Sequence, residues 1–161
     1  MLTACKRDLF KNNQFVSRKL TSDRLKVIVS RENPLANGTE CTIKEIEKQK
    51  YITKGEKSSQ TKFLSKIFDK ASCTLSDQLI INNQEAIKEA VRKNIGFGIM
   101  SEKAVETEFK EGSIKTLEIA GVDLSGDIEY VYIKDTFLTP AAKEFIRIAN
   151  EIYQGEDFET E

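Results

Sequence analysis

Apolar residues in this chain fall into short runs and into stripes of helical period, and the two kinds alternate. Residues 1–23 mix polar and apolar positions without a clear period. From Leu25 the pattern becomes regular. Lys26-Val27-Ile28-Val29-Ser30 is a β-branched run that predicts a buried strand, and Asn33-Pro34 and Asn37-Gly38 close it as turns. Thr42 and Glu45 have capping-box spacing at the head of a helix whose Ile43 and Ile46 share a face. Tyr51-Ile52-Thr53 predicts a short strand. Leu64, Ile67, Phe68 and Ala71 stand at i, i+3, i+4 and i+7 and predict a helix. A strand over 78–81 leads to a helix carrying Ala86, Ile87, Ala90 and Val91, with Asn82 and Glu85 in box spacing. Gly96-Phe97-Gly98-Ile99-Met100 reads as another buried strand. Ser101 is placed to cap a helix bearing Ala104, Val105 and Phe109, which Gly112 ends as the C′ residue. Strands over 114–119 and 128–134 follow. Thr139-Pro140 opens a last helix with Phe145, Ile148, Ala149 and Ile152. The acidic tail Glu156–Glu161 is expected to fray.

Strands that alternate with helices of roughly 10 residues predict an α/β layer structure with a mainly parallel sheet. One α/β unit is expected over residues 24–134, with residues 1–23 and 135–161 as flanking pieces. No internal repeat, low-complexity tract or flexible linker interrupts it.

Composition narrows the function. At 161 residues the chain suits one domain with a real core. Lys+Arg 25 against Asp+Glu 26 leaves a formal net charge of −1, and no basic run marks a nucleic-acid surface, so these residues are not expected to grip DNA themselves. Cys5, Cys41 and Cys73 are odd in number and far apart, which predicts reduced thiols and neither a disulfide framework nor a metal site. The absence of histidine removes Ser-His-Asp and Cys-His catalysis and histidine metal sites. No apolar run reaches membrane-span length and no signal peptide opens the chain, so it reads as cytoplasmic, without membrane attachment.

In open α/β sheets ligands bind beyond the carboxyl ends of strands, where helix N-termini converge. Three helix starts here are rich in small polar groups: Ser58-Ser59-Gln60-Thr61-Lys62, Asn82-Asn83-Gln84, and Ser101. Backbone N–H groups and the positive end of a helix dipole favour an anion there, and hydroxyls and amides add uncharged donors. Plain capping competes with this reading at each place. It is the better account of Ser101. One cap does not use three groups at Ser58–Thr61, and one amide is spare at Asn82 and Asn83. Lys62 suits an electrostatic anchor better than a nucleophile. Gly96 and Gly98 lie inside an apolar strand and lack a third glycine, so close backbone packing explains them better than a nucleotide loop. Glu106, Glu108 and Glu111 fall on the expected solvent side of their helix. No catalytic constellation, cofactor loop or metal cluster emerges.

The residues then resemble a family. Asn83-Gln84-Glu85-Ala86-Ile87-Lys88-Glu89-Ala90-Val91 followed by Asn94-Ile95-Gly96-Phe97-Gly98-Ile99-Met100-Ser101 is similar to the EAIK-and-GLGIA segment of LysR-type regulator effector domains. Asn33-Pro34-Leu35-Ala36 resembles that family's HPLA, and Ser59-Gln60-Thr61-Lys62 its SGTR. Ala104-Val105 through Gly112 is similar to its AV…E…G segment, and Leu138-Thr139-Pro140-Ala141-Ala142 with Phe145 to its closing helix. The likeness runs from about residue 23 to 152. It implies a fold like the type-2 periplasmic binding proteins, a mixed, mainly parallel sheet flanked by helices. Residues 24–134 would form regulatory subdomain II. Residues 1–23 would be a remnant of subdomain I, and residues 135–161 would return to it. The effector contacts it implies fall on Ser58, Ser59, Thr61, Asn82 and Asn83.

Departures accompany the likeness. Gln60 and Lys62 stand where the family pattern has glycine and arginine, which weakens bidentate anion recognition. None of the cysteines falls at the position used by peroxide-sensing members. The winged helix-turn-helix and linker helix of such regulators are not among these residues. The expectation is therefore an effector-binding domain without a cofactor and not an enzyme. It would take a small anion or polar metabolite, pair as a homodimer or homotetramer, and act on DNA only through a separate N-terminal domain. A solute-binding or enzymatic domain of the same fold is the alternative.

Overall fold

Three consecutive fully buried residues, Val27, Ile28 and Val29, require a strand covered on both faces, and the architecture follows from that requirement. A computed structural model of the chain describes residues 14–153; Cys5 and the acidic tail lie outside the described residues. The strand is β1 (Phe15–Ser30). It runs antiparallel to β5 (Phe97–Ser101), with Val27 opposite Ile99, and to β6 (Ile114–Ile119), with Val27 opposite Leu117. Beyond β6 lies β2 (Glu40–Cys41), and beyond β5 lie β3 (Tyr51–Thr53) and β4 (Gln78–Ile80), each parallel to its neighbour. The order is β2-β6-β1-β5-β3-β4, and β7 (Ser125–Ile133) also pairs with β1. Five strands thus share one direction and β1 opposes them, which gives the mixed, mainly parallel sheet expected.

Alternation along each strand sorts the core into two layers. Leu25, Val27, Val29, Tyr51, Phe97, Ile99, Leu117 and Ile119 point to one face. There they meet Leu64 and Phe68 of α2 (Ser59–Lys70) and Ile46 of the short α1 (Ile43–Ile46). Tyr51 stacks on Phe97 at 5.1 Å and meets Phe68 edge-on at 6.4 Å. Ile28, Ile52, Met100 and Ile114 point to the other face, against Ile87, Ala90 and Val91 of α3 (Gln84–Arg92) and Val105 of a 3₁₀ turn before α4 (Glu106–Lys110). Gly96 lets β5 approach the chain before β3. A Cβ there would sit 2.2 Å from the Lys50 carbonyl, the oxygen that accepts from Phe97 N–H at 2.9 Å.

Local signals held where they had a mechanism. The Thr42–Glu45 capping box is present in full. Gly112 ends α4 at φ +72°, with its N–H on Phe109 O and that of Ser113 on Glu108 O. The start of α3 is one residue later than its box spacing predicts: Asn83, not Asn82, accepts from Ala86 N–H at 2.9 Å. The main correction concerns β1, which begins at Phe15 and not near Lys26. Its first half is only half-buried, so it carries no apolar period, and pairing with β7 makes it a strand.

The chain forms two compact units, Arg24–Leu124 and Met1–Asp23 with Ser125–Glu161. The first contains the layers just described. In the second, Lys19 pairs with Asp127 at 3.2 Å, Ser17 donates to Glu129, and Lys134 N–H donates to Gln14 O at 2.7 Å. Its helix α5 (Pro140–Tyr153) starts as expected, with Thr139 Oγ1 accepting from Ala142 N–H at 3.2 Å. Of its apolar stripe only Ala149 is buried, and Phe145, Ile148 and Ile152 are exposed.

Candidate functional site

Within the Arg24–Leu124 unit, the pairing of β3 with β5 ends at Ile52 opposite Gly98, and the two parallel strands part at their carboxyl ends. A cavity of about 60 Å³ opens there. Ile52, Thr53 and Lys54 form its β3 side, Gln60 and Thr61 come from the first turn of α2, and Gln84 and Ile87 from α3. Ile99, Met100, Ser101 and Ala104 complete it from β5 and the 3₁₀ turn. This is the crevice in which α/β folds bind ligands.

Hydrogen bonds fix its rim. Thr61 Oγ1 donates to the Lys54 carbonyl at 3.1 Å and closes the β3–α2 loop. Gln60 Nε2 donates to the Ile99 carbonyl at 2.6 Å and ties the same turn to β5. Gly55 N–H donates to Asn82 Oδ1 at 3.1 Å, joining the loops that precede α2 and α3. Among the described residues, Lys54 is the one basic residue on the wall, and none of the wall residues is acidic.

Of the five residues singled out from sequence, Thr61 lies on this wall. Ser58 is the N-cap of α2, half-buried and without a side-chain capping bond, and Ser59 is exposed one residue on; neither lines the cavity. Asn82 and Asn83 are exposed beside it with their oxygens engaged, one on Gly55 and one as the cap of α3, so their NH₂ groups are what they can offer a ligand. Ser101, expected as a cap, makes no side-chain capping bond and lines the cavity. Sequence reasoning passed over Gln60, Gln84 and Lys54. Gln84 had a signal in its Asn-Asn-Gln run; a single lysine after a strand has none.

Behind the cavity, α3 is held by a buried charge network. Lys88 Nζ lies 2.7 Å from Glu108 Oε1 and 2.8 Å from Glu85 Oε1. Glu108 therefore faces inward, unlike Glu106 and Glu111 and contrary to the solvent-side placement expected for all three. The hydrogen bond from Lys88 holds the Glu108 carboxyl below the usual carboxylate range despite its burial. Burial would lower the Lys88 pKa, but the hydrogen bonds to Glu108 and Glu85 outweigh it and raise it.

Cys41 and Cys73 are free and buried. Burial, reinforced by Glu45 and Glu40 at Cys41 and by Glu47 at Cys73, pushes each thiol up to about 11. Neither is a nucleophile near neutral pH. Among the described residues no group of three His, Cys, Asp or Glu side chains could hold a metal, and no helix is long and apolar enough to cross a membrane.

With this geometry in place, the chain can be set beside known proteins. The family model for the LysR substrate binding domain matches residues 5–154. The malolactic fermentation system transcriptional activator of Lactococcus lactis is 27% identical over 138 residues, 86% of this chain and 47% of the relative. The RuBisCO operon transcriptional regulator of Allochromatium vinosum is 23% identical, covering 84% of this chain and 45% of the relative. The chain thus spans about half the length of these relatives. In fold it is similar to the effector binding domain of QuiR in complex with shikimate, at a TM-score of 0.80 and 19% identity over 96% of this chain and 72% of that one. The Synechocystis CcmR regulatory domain in complex with 2-PG gives 0.80 and 16% over 95% and 72%. The EAIK-and-GLGIA-like and SGTR-like segments that carried the resemblance supply Gln60, Thr61, Gln84, Ile87 and Ile99–Ser101 of the cavity wall, and the chain belongs to the LysR substrate-binding domain family.

Proposed function

We propose that this chain is the sensing part of a transcriptional regulator, binding a small anionic or polar metabolite at the carboxyl ends of β3 and β5. The observation that carries this reading is the make-up of the cavity wall among the described residues: one lysine, no carboxylate, and uncharged polar side chains from Thr53, Gln60, Thr61, Gln84 and Ser101. Backbone N–H groups in the first turns of α2 and α3 favour the same sign of charge. Ile52, Ile87 and Met100 leave room for a short hydrocarbon portion. Ser58, Ser59, Asn82 and Asn83 supply outer contacts as the ligand enters. That two similar domains are in complex with shikimate and 2-PG, and that both named relatives are regulators, supports a ligand-binding and non-enzymatic role.

In this reading the Arg24–Leu124 unit corresponds to regulatory subdomain II and the other unit to part of subdomain I. The ligand acts by shifting a population of arrangements in a homodimer or homotetramer, and a separate winged helix-turn-helix reads DNA in the cytoplasm. Thermal-shift titration with sulfate, phosphate and small carboxylates tests the site. Lys54→Ala combined with Thr61→Val is expected to weaken the responding anion by about tenfold or more, as loss of a charge and a hydroxyl should. A titration unchanged by that pair of substitutions overturns the assignment.

A further inference from the structure

The cavity is small for a ligand site. Its volume of about 60 Å³ has room for only a few water molecules, whereas sites for drug-sized ligands run to about 300–1,000 Å³. One side chain ties two parts of its wall together. Gln60 is the second residue of α2, and its amide reaches the Ile99 carbonyl in β5, thirty-nine positions away in sequence, at 2.6 Å. Both residues are on the wall, so the Gln60 side chain bridges two sides of the crevice where β3 and β5 part. Its neighbour Thr61 is committed to the opposite rim through the Lys54 carbonyl. Thr61 anchors the turn to the β3 side, and Gln60 ties it to β5 along the cavity wall.

We propose that Gln60 determines which ligands this site accepts: latched to Ile99, its side chain restricts the cavity to a small anion, and its removal opens room for a larger carboxylate. The inference rests on the ligand-site reading above. The latch is weak enough to be displaced and strong enough to discriminate. A neutral hydrogen bond to a carbonyl is worth between a few-fold and roughly tenfold in an equilibrium constant. A ligand that fits beside Gln60 leaves that bond intact. A larger one must break it and move the side chain, and loses about that factor.

The test uses the 161-residue chain in three forms: the parent, Gln60→Ala, which removes both bulk and bond, and Gln60→Met, which keeps the bulk without the bond. Thermal-shift titrations with acetate and benzoate give an apparent Kd for each. Far-UV circular dichroism checks that α2 persists; alanine is a good helix former, so the helix itself is not the casualty. The expected result is that Gln60→Ala improves benzoate relative to acetate by about tenfold or more, because space as well as the bond is released. Gln60→Met should move that ratio by no more than a few-fold. If Gln60→Ala weakens both probes alike, Gln60 is a ligand contact and the proposal is wrong. It is equally wrong if acetate and benzoate bind the parent and the ratio is unchanged in Gln60→Ala, and in that case the site itself stands. Absence of saturable binding in all three proteins overturns the ligand-site reading, and Gln60's role with it.

Discussion

Replacing Glu108 with leucine removes one half of an ion pair nearly closed to water. Lys88 Nζ lies 2.7 Å from Glu108 Oε1, with the two side chains 8% and 10% exposed. Deleting one partner of a buried pair costs about 3–5 kcal/mol, because the survivor stays charged in a medium that solvates it poorly. Lys88 keeps a second partner, Glu85, at 2.8 Å, and that side chain is largely exposed. The network therefore reaches water, and the expected cost falls to about 2 kcal/mol. For a chain of this length that is a fall of roughly 4–8 °C in Tm. Lys88→Met leaves the opposite charge stranded and should cost about the same. The double variant has neither charge and fills the space with apolar atoms, so it is expected within about 1 kcal/mol of the parent.

Urea unfolding of the four proteins, followed by circular dichroism, closes the cycle. Losses that add in the double variant would refute the reasoning, since the pair would then not act as a pair. The pH dependence has a definite sign. Glu108 is held below its ordinary value in the folded chain, so its contribution is present above the unfolded pKa and lost as pH falls through the folded one. The gap between parent and Glu108→Leu should be full above about pH 5 and shrink as pH falls below ~4. Lys88 is raised, so its share is present up to the ordinary lysine range and fades only in strong alkali.

Two further predictions separate kinds of local constraint. Gly96→Ala drives a Cβ to 2.2 Å from the Lys50 carbonyl, an oxygen fixed by strand pairing, and should cost about 2–3 kcal/mol in urea unfolding; Gly112→Ala meets nothing within 4 Å but sits at φ +72° and should cost about 1 kcal/mol. Equal costs would show that close approach at Gly96 is not what demands glycine. Cys41 and Cys73, buried and pushed up to about 11, should resist iodoacetamide at pH 8 in the folded chain and react fully in urea. Stoichiometric alkylation of either, read by peptide mass under native conditions, contradicts that environment.

What could be read from the sequence depended on whether a residue's reason for being there was local. Val27, Ile28 and Val29 announce a strand buried on both faces because no other element hides three consecutive branched residues so simply, and the structure buries all three fully. The Thr42–Glu45 box and Gly112 are each satisfied within a few residues, and both were legible for that reason. The first half of β1 was not, since Phe15–Asp23 become a strand through pairing with β7, more than a hundred residues on. Glu108 shares its short helix with the exposed Glu106 and is followed by the exposed Glu111, and nothing along the chain tells them apart. Lys88, twenty residues away, does. At the cavity the same rule divides Thr61, legible as one hydroxyl too many for a cap, from Gln60, whose partner is Ile99 in another strand.

The dependence of the cavity on distant residues is clearest in α3. Asn83 starts the helix, Gln84 reaches the cavity wall, Ile87 belongs both to that wall and to the core, and Lys88 holds Glu108. Residues 84 and 88 are one turn apart and lie on adjoining parts of one face. The ion pair at one end of that face and the buried Ile87 beside it fix the rotation of the helix about its axis. A turn by one position, about 100°, would lift Ile87 from the core and pull Lys88 from Glu108 together. Neither loss can be repaired without the other, so α3 has one setting against the sheet. That setting puts Gln84 on the cavity wall. The cavity wall is thus fixed on the α3 side, where a charge network and the core agree. On the α2 side, among the described residues, no core packing or ion pair ties Gln60 to β5; its one link across to that strand is the hydrogen bond to the Ile99 carbonyl, beside the bond by which Thr61 holds the turn to Lys54.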